Sequence, residues 1–386
     1  MRAVCCENIY CENVHTVPEN AHPRDRLGIL AAAACAVMLL QASAVRAEQV
    51  ELEEVAAFPT QQVTGVTVSA KGRVFVNFPF WSDDHTISVA EVVDGKPKPF
   101  PDEAWNAKAG PPAQRWICVQ SVVVDDQDAL WVLDPASPKT EAVVEGGPKL
   151  VKIDLATNKV MQTITFDENV APKRSYLNDV RLDTKTGHAF ITESGTGAII
   201  VVDLKSGQAR RLLANNPSTK LEPEAEIVVD GMKIIDPETG NAPAFQADGI
   251  AFDKEGGWLY YHALTAKTMY RIKTEYLLDE SLTPVQLGTK VENLGTTPKP
   301  DGMLEGSKGL VYLTAIEENA IARFDPRSRN TMVVVQDKRL QWPDTMAWGP
   351  DGTLYVTTSQ IHRMPKYHGG VSKQQGPYMV YRMKLP

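Results

Sequence analysis

The chain has 386 residues and a formal net charge of −8, with 43% hydrophobic and 23% charged residues. These values are ordinary for a globular protein and exclude wholesale disorder. The acidic excess argues against nucleic acid as a partner, because phosphate binding needs a cationic face. The 26 glycines and 26 prolines indicate many turns rather than a helical bundle.

The first 47 residues have the features of an extension that carries a secretory signal. Arg24 and Arg26 precede an apolar run over residues 27–40, and small residues then offer cleavage sites after Ala44 or Ala47. The run is too short to cross a bilayer comfortably. We therefore predict a secreted or periplasmic protein with no membrane attachment after cleavage. An uncleaved N-terminal anchor is the alternative.

The cysteines point away from a disulfide-stapled protein. Four of the five lie in this N-terminal extension, which leaves Cys118 alone in the predicted mature chain, residues 48–386. A single cysteine cannot form an intramolecular disulfide. Cys118 lies in the apolar string 116–119, so we predict a buried small hydrophobe rather than a nucleophile.

The predicted mature chain repeats one pattern six times: an apolar strand, a turn of Gly, Asp or Lys, and a second apolar or aromatic strand. The repeats cover residues 66–76, 122–132, 179–191, 248–261, 301–313 and 344–356. Strand units that recur every 40 to 70 residues or so are typical of propellers with about four strands per unit. We predict one all-β domain over residues 48–386, a six-bladed β-propeller. Two β-sandwiches are the alternative.

Two further features complete the predicted propeller. The strand at residues 50–58 is expected to pair with the C-terminal strand and close the ring, because closure removes exposed strand edges. Residues 274–278 and the insertion at 206–246 are expected to hold short helical or irregular pieces, and the insertion is either a lid or a plain surface loop.

Polar residues stand where the innermost strands begin. In a propeller these starts lie near one mouth of the central channel, and here they carry Gln120 or Ser121, Asn178 or Asp179, Asp248, Asp301 and Asp344. A ring of hard oxygen atoms is what Ca²⁺ needs. Without a cation the ring is costly, because neighbouring carboxylates raise each other's pKa. The alternative for each Asp is a turn cap that bonds its own backbone.

Two aromatic residues are candidates for the walls of this mouth. Trp81 ends a cluster of aromatic residues, and Trp342 stands two residues before Asp344. Carboxylates and aromatic rings together suit a small cationic or polar ligand, through ion pairing and cation–π contact. The common catalytic signatures of zinc proteases, serine hydrolases and P-loop enzymes are absent from the sequence.

Several strings resemble those of the Yellow and major royal jelly protein family. They are Asn77–Trp81, Tyr176–Asp183, Gly197–Asp203, Asp248–Phe252 and Trp342–Thr345, in the family's order across nearly the whole mature chain. The resemblance implies a six-bladed propeller. Some insect members are linked to dopachrome conversion, and some salivary members bind biogenic amines in the central channel. The missing glycosylation sequons and disulfide cysteines depart from secreted insect members and look bacterial.

The fold also resembles the gluconolactonase/SMP-30 propellers, which hold a divalent cation by Glu, Asn and Asp at the channel mouth. By position, Asn178 and Asp248 match the Asn and the Asp of that arrangement. The Glu of the first blade has no counterpart, since Gln62 or Thr64 stands at about that place. The metal triad is therefore incomplete.

Two functions follow from these residues. The first is a binding protein for a small molecule at the acidic mouth, with contacts from Trp81, Gln120, Asn178, Asp248, Asp301, Trp342 and Asp344. The alternative is a metal-dependent lactonase, in which Asn178 and Asp248 hold a divalent cation, Ca²⁺ above all, and Asp301 or Asp344 is the catalytic base. No large basic or apolar run supports a third function, a platform for protein partners, and the sequence leaves the oligomeric state open.

Overall fold

The computed structural model describes residues 50–385, and these form six antiparallel sheets of four strands each. The first strands of neighbouring sheets lie beside one another around a central channel, so the sheets are the blades of a propeller. The predicted all-β, six-bladed architecture is confirmed. The predicted signal segment lies outside the described residues. Within residues 50–385 no helix is long and apolar enough to cross a membrane.

Each blade runs outward from an inner strand that borders the channel. Blades 1 and 2 consist of β2 (Gly65–Val68), β3 (Val74–Asn77), β4 (Val89–Val93), β5 (Lys96–Pro99), and β6 (Ser121–Val124), β7 (Ala129–Asp134), β8 (Lys149–Asp154), β9 (Lys159–Thr165). Blades 3 and 4 consist of β10 (Leu177–Asp183), β11 (His188–Glu193), β12 (Ala198–Asp203), β13 (Ala209–Leu212), and β16 (Ala247–Asp253), β17 (Trp258–Ala263), β18 (Thr268–Lys273), β19 (Glu292–Thr296). Blades 5 and 6 consist of β20 (Pro300–Glu305), β21 (Val311–Ala315), β22 (Ala320–Asp325), β23 (Asn330–Gln336), and β24 (Pro343–Trp348), β25 (Leu354–Thr358), β26 (Tyr378–Met383), β1 (Glu53–Phe58).

The ring closes as predicted. Strand β1 forms the outer edge of blade 6 by pairing antiparallel with β26, from Phe58 opposite Tyr378 to Glu53 opposite Arg382. The last blade therefore contains strands from both ends of the described chain. This pairing covers the edge of β26 that would otherwise be open, and it ties both ends of the described chain into one blade.

Helices are few and lie outside the blades. The helices α1 (Thr274–Leu278) and α2 (Pro284–Gly288) follow β18, and α1 coincides with the short helical piece expected there. The long connection between β13 and β16 contains the small hairpin of β14 (Val228–Val229) and β15 (Met232–Lys233). We refer to this connection, residues 213–246, as the cap.

The core lies between the blades. Trp131 and Leu133 of blade 2 pack against Val180 and Leu182 of blade 3, and similar clusters fill the other interfaces. Because both faces of a middle strand are covered by neighbouring blades, such strands are apolar along their whole length, as residues 198–202 illustrate. Cys118 is fully buried, as predicted.

A bulge near the start of the inner strand recurs in blades 3 to 6, where the pairing register shifts just after the first residue. In blade 5 the hydroxyl of Thr314 accepts hydrogen bonds from the backbone N–H groups of Asp301, at 3.1 Å, and Gly302, at 2.8 Å. A Cβ atom on Gly302 would lie 2.1 Å from the carbonyl oxygen of Asp344 in the next blade, so only glycine fits. The bulge sets the direction of the Asp side chains.

Thr314→Val tests whether this hydroxyl holds the bulge. The substitution keeps the shape of the side chain but leaves two buried N–H groups without a partner. We expect a loss of about 1–3 kcal/mol in the free energy of unfolding, measured by chemical denaturation. Thr331→Val, at an exposed position on the outer strand of the same blade, is the matched control and should change stability little. Equal effects of the two substitutions would contradict this role for the hydroxyl.

Candidate functional site

Four carboxyl groups meet at the mouth where the inner strands of blades 3 to 6 begin. They belong to Asp179, Asp248, Asp301 and Asp344, which are 5%, 3%, 7% and 3% exposed. The charge of Asp179 raises the pKa of the other three, and the charge of Asp301 raises that of Asp248 and Asp344, so the four form one electrostatic group. We refer to these four residues as the acidic ring. The predicted gathering of Asp248, Asp301 and Asp344 at one mouth is thus observed.

Burial makes the ionised form of these carboxyls unfavourable. It raises the pKa of Asp301 to about 7 and that of Asp179 above its usual value. The pKa of Asp248 is well above the ordinary range, first because of burial and then because of the charge of Asp301. Burial and the charge of Asp301 act in the same way on Asp344.

A proton is shared between two members of the acidic ring. The carboxyls of Asp248 and Asp301 lie within hydrogen-bonding reach, and this bond raises the pKa of Asp248 while lowering that of Asp301. Of this pair, Asp248 has the more strongly raised pKa, so a proton held by the two carboxyls resides mainly on Asp248. The indole N–H of Trp342 also donates to Asp301, at 2.5 Å from Oδ2. Oδ2 of Asp344 is buried and, within residues 50–385, has no hydrogen-bond partner.

Arg181 supplies a positive charge inside the channel. Its guanidinium lies 3.6 Å from Oδ2 of Asp179 and donates to the carbonyl oxygen of Met303 at 2.6 Å. Asp179 belongs to blade 3 and Met303 to blade 5, so this side chain bridges two blades that are not neighbours. Below it, a cavity of about 170 Å³ opens at the opposite ends of the inner strands. Arg181 therefore separates the acidic ring from the lower channel.

The cap lies over the mouth that holds the acidic ring. Its residues Ile227, Val229 and Ile234 are buried in one cluster with Trp342 and Ile361. The insertion is thus a packed cover in this structure, which supports the lid over the plain surface loop. The four carboxyls at this mouth are nearly inaccessible to solvent.

A line of contacts connects the cap to the acidic ring. Asp230, at the tip of the β14–β15 hairpin, accepts a hydrogen bond from Arg363 at 3.2 Å and lies 3.7 Å from the ring nitrogen Nε2 of His362. His362 is stacked on Trp342, with ring centroids 5.9 Å apart, and Trp342 donates to Asp301. Burial, followed by the charge of Arg363, lowers the pKa of His362 to about 4, so the imidazole is neutral at neutral pH.

The remaining predicted ligand contacts form a second group at the same end of blades 2 and 3. The indole N–H of Trp81 donates to the hydroxyl of Tyr176 at 2.8 Å, and that hydroxyl donates to Oε1 of Gln120 at 2.8 Å. Asn178 donates to the hydroxyl of Ser194 at 3.0 Å. The polar groups of Trp81, Tyr176 and Gln120 are thus hydrogen-bonded to one another, and the amide nitrogen of Asn178 is hydrogen-bonded to Ser194. Trp342 offers its N–H to the acidic ring, while one of its ring faces is covered by His362.

The predicted metal ligands do not form a closed set in this structure. The amide nitrogen of Asn178 donates to Ser194, which leaves its oxygen free within residues 50–385, and the carboxyl of Asp248 is coupled to that of Asp301. Across the described part of the chain, no three His, Cys, Asp or Glu side chains are grouped so that they could hold a metal ion. Asp248 and Asp301 are arranged as two carboxyls that share a proton, and not as part of a set of oxygen ligands around a cation. Asn178 and Asp248 as metal ligands stay a prediction.

Two residues of this mouth, Arg181 and His362, were not singled out from the sequence, whereas Asp179 was placed there together with Asn178. Arg181 follows Asp179 two residues later on the same strand, so strand alternation could have paired them. His362 has no such signal, because its stacking on Trp342 depends on a loop that returns over the mouth.

Residues 117–385 match the family described as major royal jelly protein. The chain belongs to the major royal jelly protein family. Membership of this family agrees with the resemblance of the sequence strings and with the six blades of the structure. No curated protein sequence matches the chain.

Solved propellers share the fold of this family member at low sequence identity. Regucalcin from Agrobacterium tumefaciens, a calcium-binding protein, aligns with a TM-score of 0.53 and 14% identity over 87% of this chain and 94% of its own. A gluconolactonase from Xanthomonas campestris aligns with a TM-score of 0.50 and 12% identity over 90% and 93% of the two chains. A streptogramin B lyase aligns with a TM-score of 0.50 and 13% identity over 88% and 99%. At such identities the likeness shows the fold alone.

Asp301→Asn tests the electrostatics of the acidic ring. A carboxyl whose pKa is raised by folding stabilises the protein below its unfolded pKa, and this stabilisation is lost as pH rises through about 7. From an unfolded value of about 3.9, the loss for Asp301 is at most roughly 4 kcal/mol. We therefore expect the melting temperature of Asp301→Asn, relative to the wild type, to increase between pH 4 and pH 8.

The melting temperature of the variant must be compared with that of the wild type at each pH, because other titratable groups change the stability of both proteins in the opposite direction. The pKa values of His262 and His362 are lowered to about 4 by burial, so their contribution to stability increases between about pH 4 and 6.5. Asp351→Asn, at an exposed carboxyl, is the control and should show no comparable increase. A flat difference for Asp301→Asn across this range would show that Asp301 is ionised throughout.

Proposed function

We propose that this protein is a secreted binding protein that takes a small organic cation into the acidic ring beneath the cap. The observation that carries the proposal is the unpartnered, buried Oδ2 of Asp344, beside three further carboxyls and a single arginine. An ammonium group that donates to this oxygen would satisfy its missing hydrogen bond. It would also favour the ionised form of the surrounding carboxyls.

An organic amine suits the site better than a metal ion. Hard divalent cations take six or more oxygen ligands, whereas an ammonium needs a few acceptors at ordinary hydrogen-bond distances. The aromatic side chains of Trp342 and Trp81 belong to the two groups of residues at this mouth and suit the organic part of such a ligand. Secretion fits a protein that captures a free small molecule, and it rests on the predicted signal segment.

Binding should depend on pH because the amine must displace protons. The pKa of Asp301 is about 7, and those of Asp248 and Asp344 are raised further, so the ring is largely protonated below neutral pH. A cation binds to the ionised carboxyls and not to the protonated ones. Affinity should therefore increase as pH rises from 6 to 8.

Calorimetric titration with tyramine tests the proposal, with 4-ethylphenol as the matched ligand that lacks the amine. We expect tyramine to bind, with affinity that increases from pH 6 to pH 8, and 4-ethylphenol to bind at least tenfold more weakly. Asp344→Asn should weaken tyramine binding by about 10- to 100-fold, the range for a lost charge-assisted hydrogen bond. Asp351→Asn should leave it unchanged.

Other outcomes of the same experiment distinguish the alternatives. Equal binding of both ligands, or unchanged affinity in Asp344→Asn, would contradict capture of a cation by the acidic ring. A calcium titration decides the lactonase alternative. An increase in melting temperature with Ca²⁺ that disappears in Asp248→Asn would support a metal site, since a ligand at 100 times its Kd stabilises by about 2.7 kcal/mol.

A further inference from the structure

The cap is fixed to the blades at both of its ends. Near its start, the backbone N–H of Leu221 donates to Oε1 of Gln246 at 2.8 Å. The backbone N–H of Glu222 donates to the carbonyl of Thr265, in the β17–β18 turn of blade 4, at 2.9 Å. At the other end, the backbone N–H of Gln246 donates to the carbonyl of Ser194 in blade 3 at 2.9 Å. A movement of the cap therefore takes place between these ends, in the part that carries the β14–β15 hairpin.

The β14–β15 hairpin reaches blades 5 and 6 through polar contacts. The backbone N–H of Val228 donates to Oε1 of Glu317, in the β21–β22 turn, at 2.7 Å. At the tip, Oδ1 of Asp230 accepts from the side chain of Asn319, in the same turn, at 2.8 Å. Its other oxygen, Oδ2, is paired with Arg363 of blade 6 at 3.2 Å. One carboxylate thus joins the tip of the hairpin to both blades.

The contacts of Asp230 lie at the protein surface. Its side chain is 35% exposed, and a groove of about 690 Å³ between blades 5 and 6 borders it together with Asn319 and Arg363. Ion pairs with this exposure are weak, because water competes for both partners. Such contacts can break and form again while the blades stay folded.

The inner side of the hairpin covers the channel mouth. Three apolar side chains in and beside the hairpin are buried, those of Ile227, Val229 and Ile234. They pack in one cluster with Trp342, whose indole N–H donates to Asp301. The same short segment therefore carries the cover of the acidic ring on its inner side and the contacts of Asp230 at its tip.

We propose that the cap is a lid over the acidic ring and that Asp230 is its latch. The contacts of Asp230 with Arg363 and Asn319 keep the lid closed. When they break, the hairpin moves about the fixed ends of the cap and uncovers the carboxyls. The role of the lid in ligand entry rests on the proposed function, the binding of an organic cation at the acidic ring. The latch itself is measurable without a ligand.

Carboxyl footprinting of the purified protein tests the proposal. Carbodiimide and glycine ethyl ester label accessible carboxyls, and mass spectrometry gives the labelling rate of each. Asp230→Asn removes the charge but keeps the turn, since Asp230 and Gly231 have φ values of 51° and 76° and Asn-Gly is favoured there. We expect Asp301 and Asp344 to be labelled about three- to tenfold faster, as for the loss of one partly exposed, charge-assisted hydrogen bond.

Matched variants separate the latch from a general loosening of the cap. Arg363→Gln removes the partner on blade 6 and should give a similar increase. The double variant should be labelled no faster than the faster single variant, because both changes break the same contact. Glu226→Gln is the control, since Glu226 is paired with Lys233 within the cap. It should be labelled like the wild type.

The proposal is overturned if the labelling of Asp344 is unchanged in both Asp230→Asn and Arg363→Gln, or if it increases equally in Glu226→Gln. It is also overturned if hydrogen exchange of residues 226–236 becomes faster in these variants while the labelling does not, since the tip would then loosen without uncovering the mouth. Faster association of tyramine with the two latch variants would support the lid. Faster labelling without any tyramine binding would support the lid and contradict the proposed function.

Discussion

Burial of four carboxyl groups at one channel mouth is the constraint on which the rest of this site depends. Each like charge in a confined space raises the cost of ionising the next, so the group must hold protons, an internal cation or a ligand. The structure supplies the protons and the internal cation. Asp248, whose pKa is strongly raised, keeps its proton beside Asp301, and Arg181 lies beside Asp179. The oxygen Oδ2 of Asp344, which has no hydrogen-bond partner among residues 50–385, is left for a ligand.

The local backbone is built around this arrangement. The bulges aim the Asp side chains, threonine hydroxyls of the second strands hold the bulges, and Gly302 lets the next blade approach. These features recur in consecutive blades, so a channel mouth of this kind is a property of the repeat. The cap then excludes water from the ring, which strengthens every electrostatic interaction beneath it.

The cap also makes the site one that must open. Its hairpin tip is held by Asp230, and the same contacts lead through His362 and Trp342 to Asp301. Occupancy of the acidic ring and the position of the cap are therefore expected to influence each other.

The repeat allowed the fold, the ring closure and the position of the acidic ring to be predicted, because hairpins at regular spacing fix which residues start the inner strands. Asp248, Asp301 and Asp344 followed directly from this. The partners of the ring could not be derived in that way. Arg181 contacts Met303 across the channel, and His362 meets Trp342 through a returning loop, so both contacts join segments with no common pattern.

The protonation state of the acidic ring is the most direct test of this account. Infrared spectroscopy of the purified protein at pH 7 distinguishes protonated carboxyls from ionised carboxylates, and the difference between wild type and Asp248→Asn isolates one member of the ring. The account predicts a protonated-carboxyl band in the wild type that is lost in Asp248→Asn. A wild-type spectrum with no band that depends on Asp248 would mean that this carboxyl is ionised, and would contradict the account.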